Sequence, residues 1–478
     1  MSKLMFYTGV LCRVLWTVVF VGHIDGYGQA GSPDMIPALD RLFREYDRTD
    51  SPGFGVGIIQ NGATVYSRGV GMANLETRTV FTPATVSDIG SVAKQLTCMA
   101  IILLEQQGKL DLDDDIRLYF PDIPDFGATI TIRQLMHHIS GLREVYDMLA
   151  LSGWQQGDGI HQRDAMDLVS HSAALNFAPG ARYAYCNTGY MLLGSLIAKL
   201  GGKDFEAWMR ENIFLPLGME HTYIMDRQGE LFSDCAESYA RSDGHWVKLY
   251  DNSTAFGQGG IYSTVPDMLR WLDNFRTGKV GGQPGLERLF TRGILNSGDT
   301  LDYALGIEHA GYRGLRLLQH TGSSAGYRAI LCYVPQYGLG IMLKANYANF
   351  EGEALCRKIL DVMTGMPGAE AAAKPAAGAK QDAPLQVEAP ERFTGRFFSA
   401  ELEQFFEIYQ QENKLFFRSR NLAPVQMEAI GPDRFKGKTF IDAITFERDK
   451  KQRVTGIRVS VEGAQGIWMK KWEESPVR

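Results

Sequence analysis

Apolar residues recur at helical spacing at Ile36, Leu39, Leu42, Phe43 and Tyr46, which predicts an amphipathic helix over 36–48. The period then changes. Phe54–Gln60 and Ala63–Val70 flank Asn61-Gly62, a pair that accepts the positive φ of a two-residue turn, so both runs are predicted as strands of one hairpin. A second helical run follows Ile89-Gly90, with Leu96, Met99, Ala100, Leu103 and Leu104 on one stripe and Gly108 beyond its end. A short helix is predicted near 131–138, leading into Ile139-Ser140-Gly141-Leu142. Pro179-Gly180 opens a loop that runs through Tyr185 and Asn187 into another apolar helix, and Thr264-Val265-Pro266-Asp267 reads as a further helix start. Strand patterns return at Tyr327–Val334 and Leu339–Ala345, followed by a helix over 353–364. Hairpin, long helical middle and returning strands predict an α+β fold, with one antiparallel sheet flanked by helices.

The character changes twice more. Residues 367–386 carry Pro367, Pro375 and Pro384 among many Ala and Gly, leave little to bury, and are expected to link a first domain over 31–366 to a second over 387–478. In that second part short alternating runs at 405–408, 415–417, 425–429, 444–446, 454–461 and 467–472 predict an all-β, barrel-like domain with an interior rich in Phe. At the other end, Lys3 and Arg13 precede the apolar run 14–22, and Gly28-Gln29-Ala30 offers small residues for cleavage. That order predicts a signal peptide over 1–30 and an exported, periplasmic or secreted, protein. An apolar run of about nine residues falls well short of the roughly 20 that a spanning helix needs, so no stable transmembrane segment is expected in the mature chain.

A formal charge of -6 over 478 residues, with no basic tract interleaved with aromatics, argues against nucleic acid as a partner. Cys98, Cys186, Cys235, Cys332 and Cys356 show no metal-like spacing and are expected as buried thiols. His137-His138 point apart if helical and have no third ligand nearby, so neither a metal nor any other cofactor is expected.

The chemistry lies at Ser91-Val92-Ala93-Lys94. Spacing of three on a helix brings the amine to the hydroxyl, and the helix mouth favours negative charge developing there. Lys94 could act as a base only if its pKa fell about three units, worth roughly 4 kcal/mol, as burial in an apolar setting would cause. Two further elements follow in order: Tyr185-Cys186-Asn187, on a loop opening a helix, and His320-Thr321-Gly322 before the strand at 327. Tyr250-Asp251-Asn252 and Tyr347-Ala348-Asn349 share the second pattern but not its context.

These motifs, with Gly141-Leu142 and Gly259-Gly260, make residues 36–365 resemble the serine β-lactamase and penicillin-binding-protein-like hydrolases, within them the class C β-lactamase, D-aminopeptidase and esterase group. The resemblance implies Ser91 as acylated nucleophile, Lys94 and Tyr185 sharing proton transfer, and Asn187 orienting Lys94 and the substrate amide. It implies His320, Thr321 and Gly322 as the substrate-binding strand, and the N–H groups of Ser91 and Ser323 as the oxyanion hole. The third motif usually begins with Lys in β-lactamases and D-Ala-D-Ala carboxypeptidases; His320 favours peptidase, amidase or esterase relatives acting on a small molecule or short peptide. A β-lactamase or carboxypeptidase, and a catalytically dead sensor, are the alternatives. The tail resembles the lipocalin-like barrel of some members, through which a homo-oligomer is a possible assembly. Pocket shape is expected to come from segments 143–178 and 220–256.

Overall fold

The computed structural model describes residues 35–366, apart from 156, 228 and 230, and residues 389–473. The expected signal peptide and the 367–386 linker lie outside the described residues. Helix α1 (Met35–Phe43) ends earlier than its apolar pattern suggests, in a 3-10 turn at Arg44–Tyr46. Strands β1 (Phe54–Gln60) and β2 (Ala63–Val70) pair as the predicted hairpin, with Asn61 and Gly62 both at positive φ (50° and 87°). Helices α2 (Ala93–Gln106), α3 (Val145–Leu151), α4 (Asn187–Gly201) and α5 (Val265–Thr277) follow. Strands β3 (Glu308–Tyr312), β4 (Leu315–Ser324), β5 (Tyr327–Val334) and β6 (Leu339–Ala345) then return to the hairpin, and α6 (Gly352–Thr364) closes the unit. The sheet runs β3-β4-β5-β6-β1-β2, with every pairing antiparallel.

The sheet separates two cores, and the sequence of β1 shows why. Phe54, Val56 and Ile58 pack toward α1 and α6, with Phe43, Leu343 and Ile359 in the same cluster. On the alternate positions Gly55 and Gly57 leave room for α5: a Cβ on Gly57 would come 2.4 Å from Val265 Cγ1. On that side Met268, Leu272, Leu331 and Met342 join the large core built around α2 and α4. Helix α2 is buried on nearly every side, Lys94 included. Behind it the buried Lys344 of β6 donates to the carbonyls of Thr85, Ser87 and Ser263, tying the segment that leads to Ser91 onto the sheet.

The second unit is a closed antiparallel barrel: β7 (Gly395–Ser399), β8 (Gln404–Gln411), β9 (Lys414–Arg418), β10 (Val425–Gly431), β11 (Arg434–Gly437), β12 (Ile441–Arg448), β13 (Val454–Val461) and β14 (Ala464–Trp472). Phe397, Phe406, Phe417, Phe435 and Phe446 fill its interior, as the aromatic-rich alternation predicts. Met148 and Leu151 of α3 belong to the same apolar cluster, so the barrel packs directly on the first unit. A buried ion pair crosses that contact, Arg143 Nε lying 2.8 Å from Glu401 Oε1. Glu401→Ala would strand the guanidinium, whose Nη1 already lacks a partner, and is expected to cost about 3–5 kcal/mol. Denaturant unfolding checks this; a loss under about 0.5 kcal/mol, the size of an exposed pair's contribution, contradicts it. Among the described residues no helix is long and apolar enough to cross a membrane.

Candidate active site

The backbone before Ser91 is shaped by close contacts. The two-residue strand Ser87–Asp88 pairs with Ile261–Ser263, Ile89 N–H donates to Ile261 O, and Gly90 N–H donates to the Asp88 carboxylate at 2.7 Å. Gly90 adopts φ +53°, and the chain enters a 3-10 turn, Gly90–Val92, before α2 begins at Ala93. Ser91 therefore stands one turn ahead of the α-helix rather than within its first turn.

Lys94 still reaches it. Its Nζ lies 3.1 Å from Ser91 Oγ, 2.8 Å from Asn187 Oδ1 and 2.7 Å from Gln258 O. The amide and carbonyl oxygens can only accept, so a neutral amine gives both its protons to them and turns its lone pair to the Ser91 hydroxyl. Burial lowers the Lys94 pKa to about 7, against the opposing pull of Glu144 and other groups. Tyr185 Oη donates to Ser91 Oγ at 2.7 Å from the other side. Burial pushes the Tyr185 pKa well up, so it is a phenol, a proton donor, at neutral pH. Thus Lys94 and Tyr185 converge on the Ser91 oxygen, with Asn187 holding Lys94.

The third motif comes up against the nucleophile turn. Gly322 meets the nucleophile turn so closely that a Cβ there would sit 2.0 Å from Ile89 O and 3.3 Å from Ser91 N. A Cβ on Gly90 would likewise sit 2.5 Å from Ser323 N, so the Ser91 and Ser323 amides lie side by side across this glycine contact. Thr321, by contrast, is exposed between buried neighbours, and His320 is buried. The cleft wall here includes Ser323, Ser324 and Ala325. Strand alternation turns the His320 and Thr321 side chains to opposite faces, and the ring of His320 is held by hydrogen-bonding partners.

Those partners form a chain whose proton positions follow from its ends. Cys186 N–H needs His138 Nδ1 as acceptor (3.0 Å), so His138 Nε2 carries the proton and donates to Tyr303 Oη at 3.2 Å. Tyr303 then donates to His320 Nε2 (3.0 Å), and His320 Nδ1–H donates to Thr321 O (2.6 Å). Burial, reinforced by Lys94, pushes the His320 pKa down to about 4 and that of His138 well below its ordinary value, so both are neutral. His138, at φ +58°, also packs its ring 4.3 Å from that of Tyr185.

Sequence reasoning missed three residues: Tyr303, His138 as a partner of the site, and Glu144. Glu144 Oε2 accepts from Asn187 N–H (2.5 Å) and Oε1 from Asn187 Nδ2 (2.9 Å). The available signal was weak, an acid three residues past Gly141 at the start of a helix. Around the nucleophile the structure forms a cleft of about 390 Å³. Tyr146, Trp154 and Asp158 enter it from segment 143–178, and Tyr250, Asp251 and Asn252 from segment 220–256. Asp88, whose pKa is raised by burial and by Asp251, lies in the same wall; Arg328 is its one cationic side chain among the described residues, with Nη1 donating to Ala325 O and Tyr327 O. Among the described residues no group of three or more His, Cys, Asp or Glu is arranged to hold a metal ion.

Residues 39–362 match the family model described as "Beta-lactamase". Among curated proteins, a D-aminopeptidase of Brucella anthropi is 28% identical over 325 residues, covering 67% of this chain and 60% of its own length. A D-aminopeptidase of Cereibacter sphaeroides is 26% identical over 459 residues, covering 93% of this chain and 77% of its own. The chain thus spans about 60% of the length of the Brucella relative. Among solved structures, the octameric penicillin-binding protein homologue from Pyrococcus abyssi superposes with TM-score 0.61 at 22% identity, covering 91% of this chain and 99% of that one. The D-amino acid amidase from Ochrobactrum anthropi superposes with TM-score 0.58 at 22% identity, over 70% of this chain and 99% of that one.

Proposed function

The chain belongs to the beta-lactamase family, and from that premise we propose that it is an exported serine hydrolase acting on a small peptide, amide or ester through an acyl-Ser91 intermediate. One observation carries the reading: Ser91 Oγ is held between an amine at 3.1 Å and a phenol at 2.7 Å. In the proposed cycle the Lys94 lone pair takes the Ser91 proton as Oγ bonds to the substrate carbonyl carbon. The oxyanion is met by the N–H groups of Ser91 and Ser323, each such donor being worth about 3–4 kcal/mol. As the tetrahedral intermediate collapses, the leaving nitrogen or oxygen takes the Tyr185 proton, and the Lys94 ammonium restores it. Water then adds to the acyl ester by the same route in reverse, releasing the acid and Ser91. Asn187 keeps Lys94 aimed throughout.

The D-aminopeptidase relatives and the small cleft support D-amino-acid amides, short peptides or esters as substrates. The neutral His320 speaks against β-lactamase or D-Ala-D-Ala carboxypeptidase activity, since it supplies no fixed cation where the third motif usually has Lys. Assay of the purified protein against D-amino-acid amides, short acyl esters and cephalosporins side by side tests this. Turnover of an amide or ester that is lost in Ser91→Ala is expected, with slow nitrocefin hydrolysis or none. Hydrolysis surviving Ser91→Ala contradicts the mechanism. Rapid nitrocefin turnover favours the β-lactamase alternative, and acylation without release favours a sensor.

A further inference from the structure

The C-terminal barrel touches the first unit at, among other places, a segment that also touches the catalytic amide. Glu144 N–H, at the start of α3, donates to Gly463 O at 2.8 Å in the turn between β13 and β14. Gly463 N–H donates to Asp147 Oδ2 (2.7 Å), Asn176 Nδ2 donates to Gly463 O (2.8 Å), and Gln465 N–H donates to Asn176 Oδ1 (2.8 Å). From the same residue, the Glu144 carboxylate grips Asn187 through its backbone and side-chain N–H groups.

We propose that the barrel is a working part of the active site: its 462–463 turn seats Glu144, and Glu144 orients Asn187 so that Lys94 presents its lone pair to Ser91. The inference rests on the serine-hydrolase reading above. The logic is one of donors and acceptors. A side-chain amide can face a neighbour with either end, and a carboxylate can only accept. Glu144 therefore forces the Nδ2 end of Asn187 toward itself and leaves Oδ1 for Lys94. If that amide were reversed, Lys94 would meet a donor and spend its lone pair on Asn187 instead of Ser91. Among the described residues no group of the first unit takes the Glu144 N–H; the barrel carbonyl does, and without it a buried donor would be left unmet. Glu144 and Gly463 are positioning residues, for neither touches the reacting atoms.

The test follows from the tightness of the turn. A Cβ on Gly463 would come 2.4 Å from both Glu144 Cβ and Asp147 Oδ2, so Gly463→Ala pushes the turn off Glu144 with one methyl group. In the full-length chain this variant is expected to lower the rate of Ser91 acylation by a fluorophosphonate at least tenfold, as displacements of about 1 Å commonly do. It should also move the acidic limb of the pH–rate profile to lower pH. Lys94 faces Asp88, Glu144, Cys98, Cys186, the Tyr185 and Tyr190 rings and the neutral His138 and His320, and withdrawing the Glu144 charge removes the leading group that opposes desolvation. The isosteric Glu144→Gln keeps the proposal testable should the added methyl unseat the barrel; a donating amide there permits the reversed Asn187, and the same two changes are expected. Gln155→Ala, which removes only a bond to Asn421 O at another point of the contact, is expected to leave the rate and the limb unchanged. Folded Gly463→Ala and Glu144→Gln proteins with the parent rate and an unmoved limb, or an equal loss in Gln155→Ala, overturn the inference. Failure of the unsubstituted protein to label at Ser91 instead overturns the serine-hydrolase reading.

Discussion

Replacing Lys94 by alanine is expected to lower kcat/KM by about 10³-fold or more, the contribution of a lost general base, with no comparable loss of fold. Lys94→Arg sharpens the result. Arginine keeps the charge and nearly the length, but its guanidinium does not deprotonate in proteins, so it should be as inactive as alanine. A fixed cation serving only to steer substrate would predict the opposite, with Arg retaining most activity. The pH profile carries the same distinction. Burial holds the Lys94 pKa near 7, so the neutral amine predominates above that value and is depleted about tenfold for each unit below it. Activity should therefore rise with pH to a plateau, with a midpoint near 7. His320, its pKa lowered to about 4, supplies no limb in that window. Steady-state rates between pH 5 and 9 check this in the order-of-magnitude sense; a profile flat across that interval contradicts a titrating amine.

The second large effect is steric. Gly322→Ala places a methyl 2.0 Å from Ile89 O, which cannot yield because Ile89 is hydrogen-bonded to Ile261 through its own N–H. The end of β4 must move away from the nucleophile turn and carry the Ser323 amide with it. Loss of one oxyanion donor costs about 10²–10³ in kcat, and KM should change little because the ground-state carbonyl gains less from the donor than the transition state does. Comparable kcat in Gly322→Ala would mean that this contact does not place the oxyanion hole. A rise in KM at constant kcat would point instead to a substrate-binding strand.

Much of this was legible because it is local. The Asn61-Gly62 hairpin and the helix that follows Ser91 and carries Lys94 follow from periods and turn residues that act over a few positions. The order of Ser91, Tyr185 and His320 was legible as a pattern, although the exposure of Thr321 and the hydrogen bond of His320 to Tyr303 were not. Strand parity at the sheet edge, and which ring lies behind it, are decided by tertiary packing. In the barrel, β11 offers only four residues with one inward Phe435, and β7 carries adjacent Phe397 and Phe398 that blur its alternation, so neither stood out from the turns beside it. Helix α3 and Glu144 were missed for a deeper reason. The partners of Glu144 lie 43 residues away at Asn187 and 319 away at Gly463, and no local pattern encodes such a pairing.

The central claim is that Ser91 is the group made reactive by Lys94 and Tyr185. Fluorophosphonate treatment of the intact chain at pH 8, followed by peptide-level mass spectrometry, tests it in one step. A single adduct on Ser91, formed rapidly in the parent protein and negligibly in Lys94→Arg, is the expected result. An adduct on another serine, or equal labelling of Ser91 in both proteins, would show that the convergence of amine and phenol on this hydroxyl does not confer its reactivity.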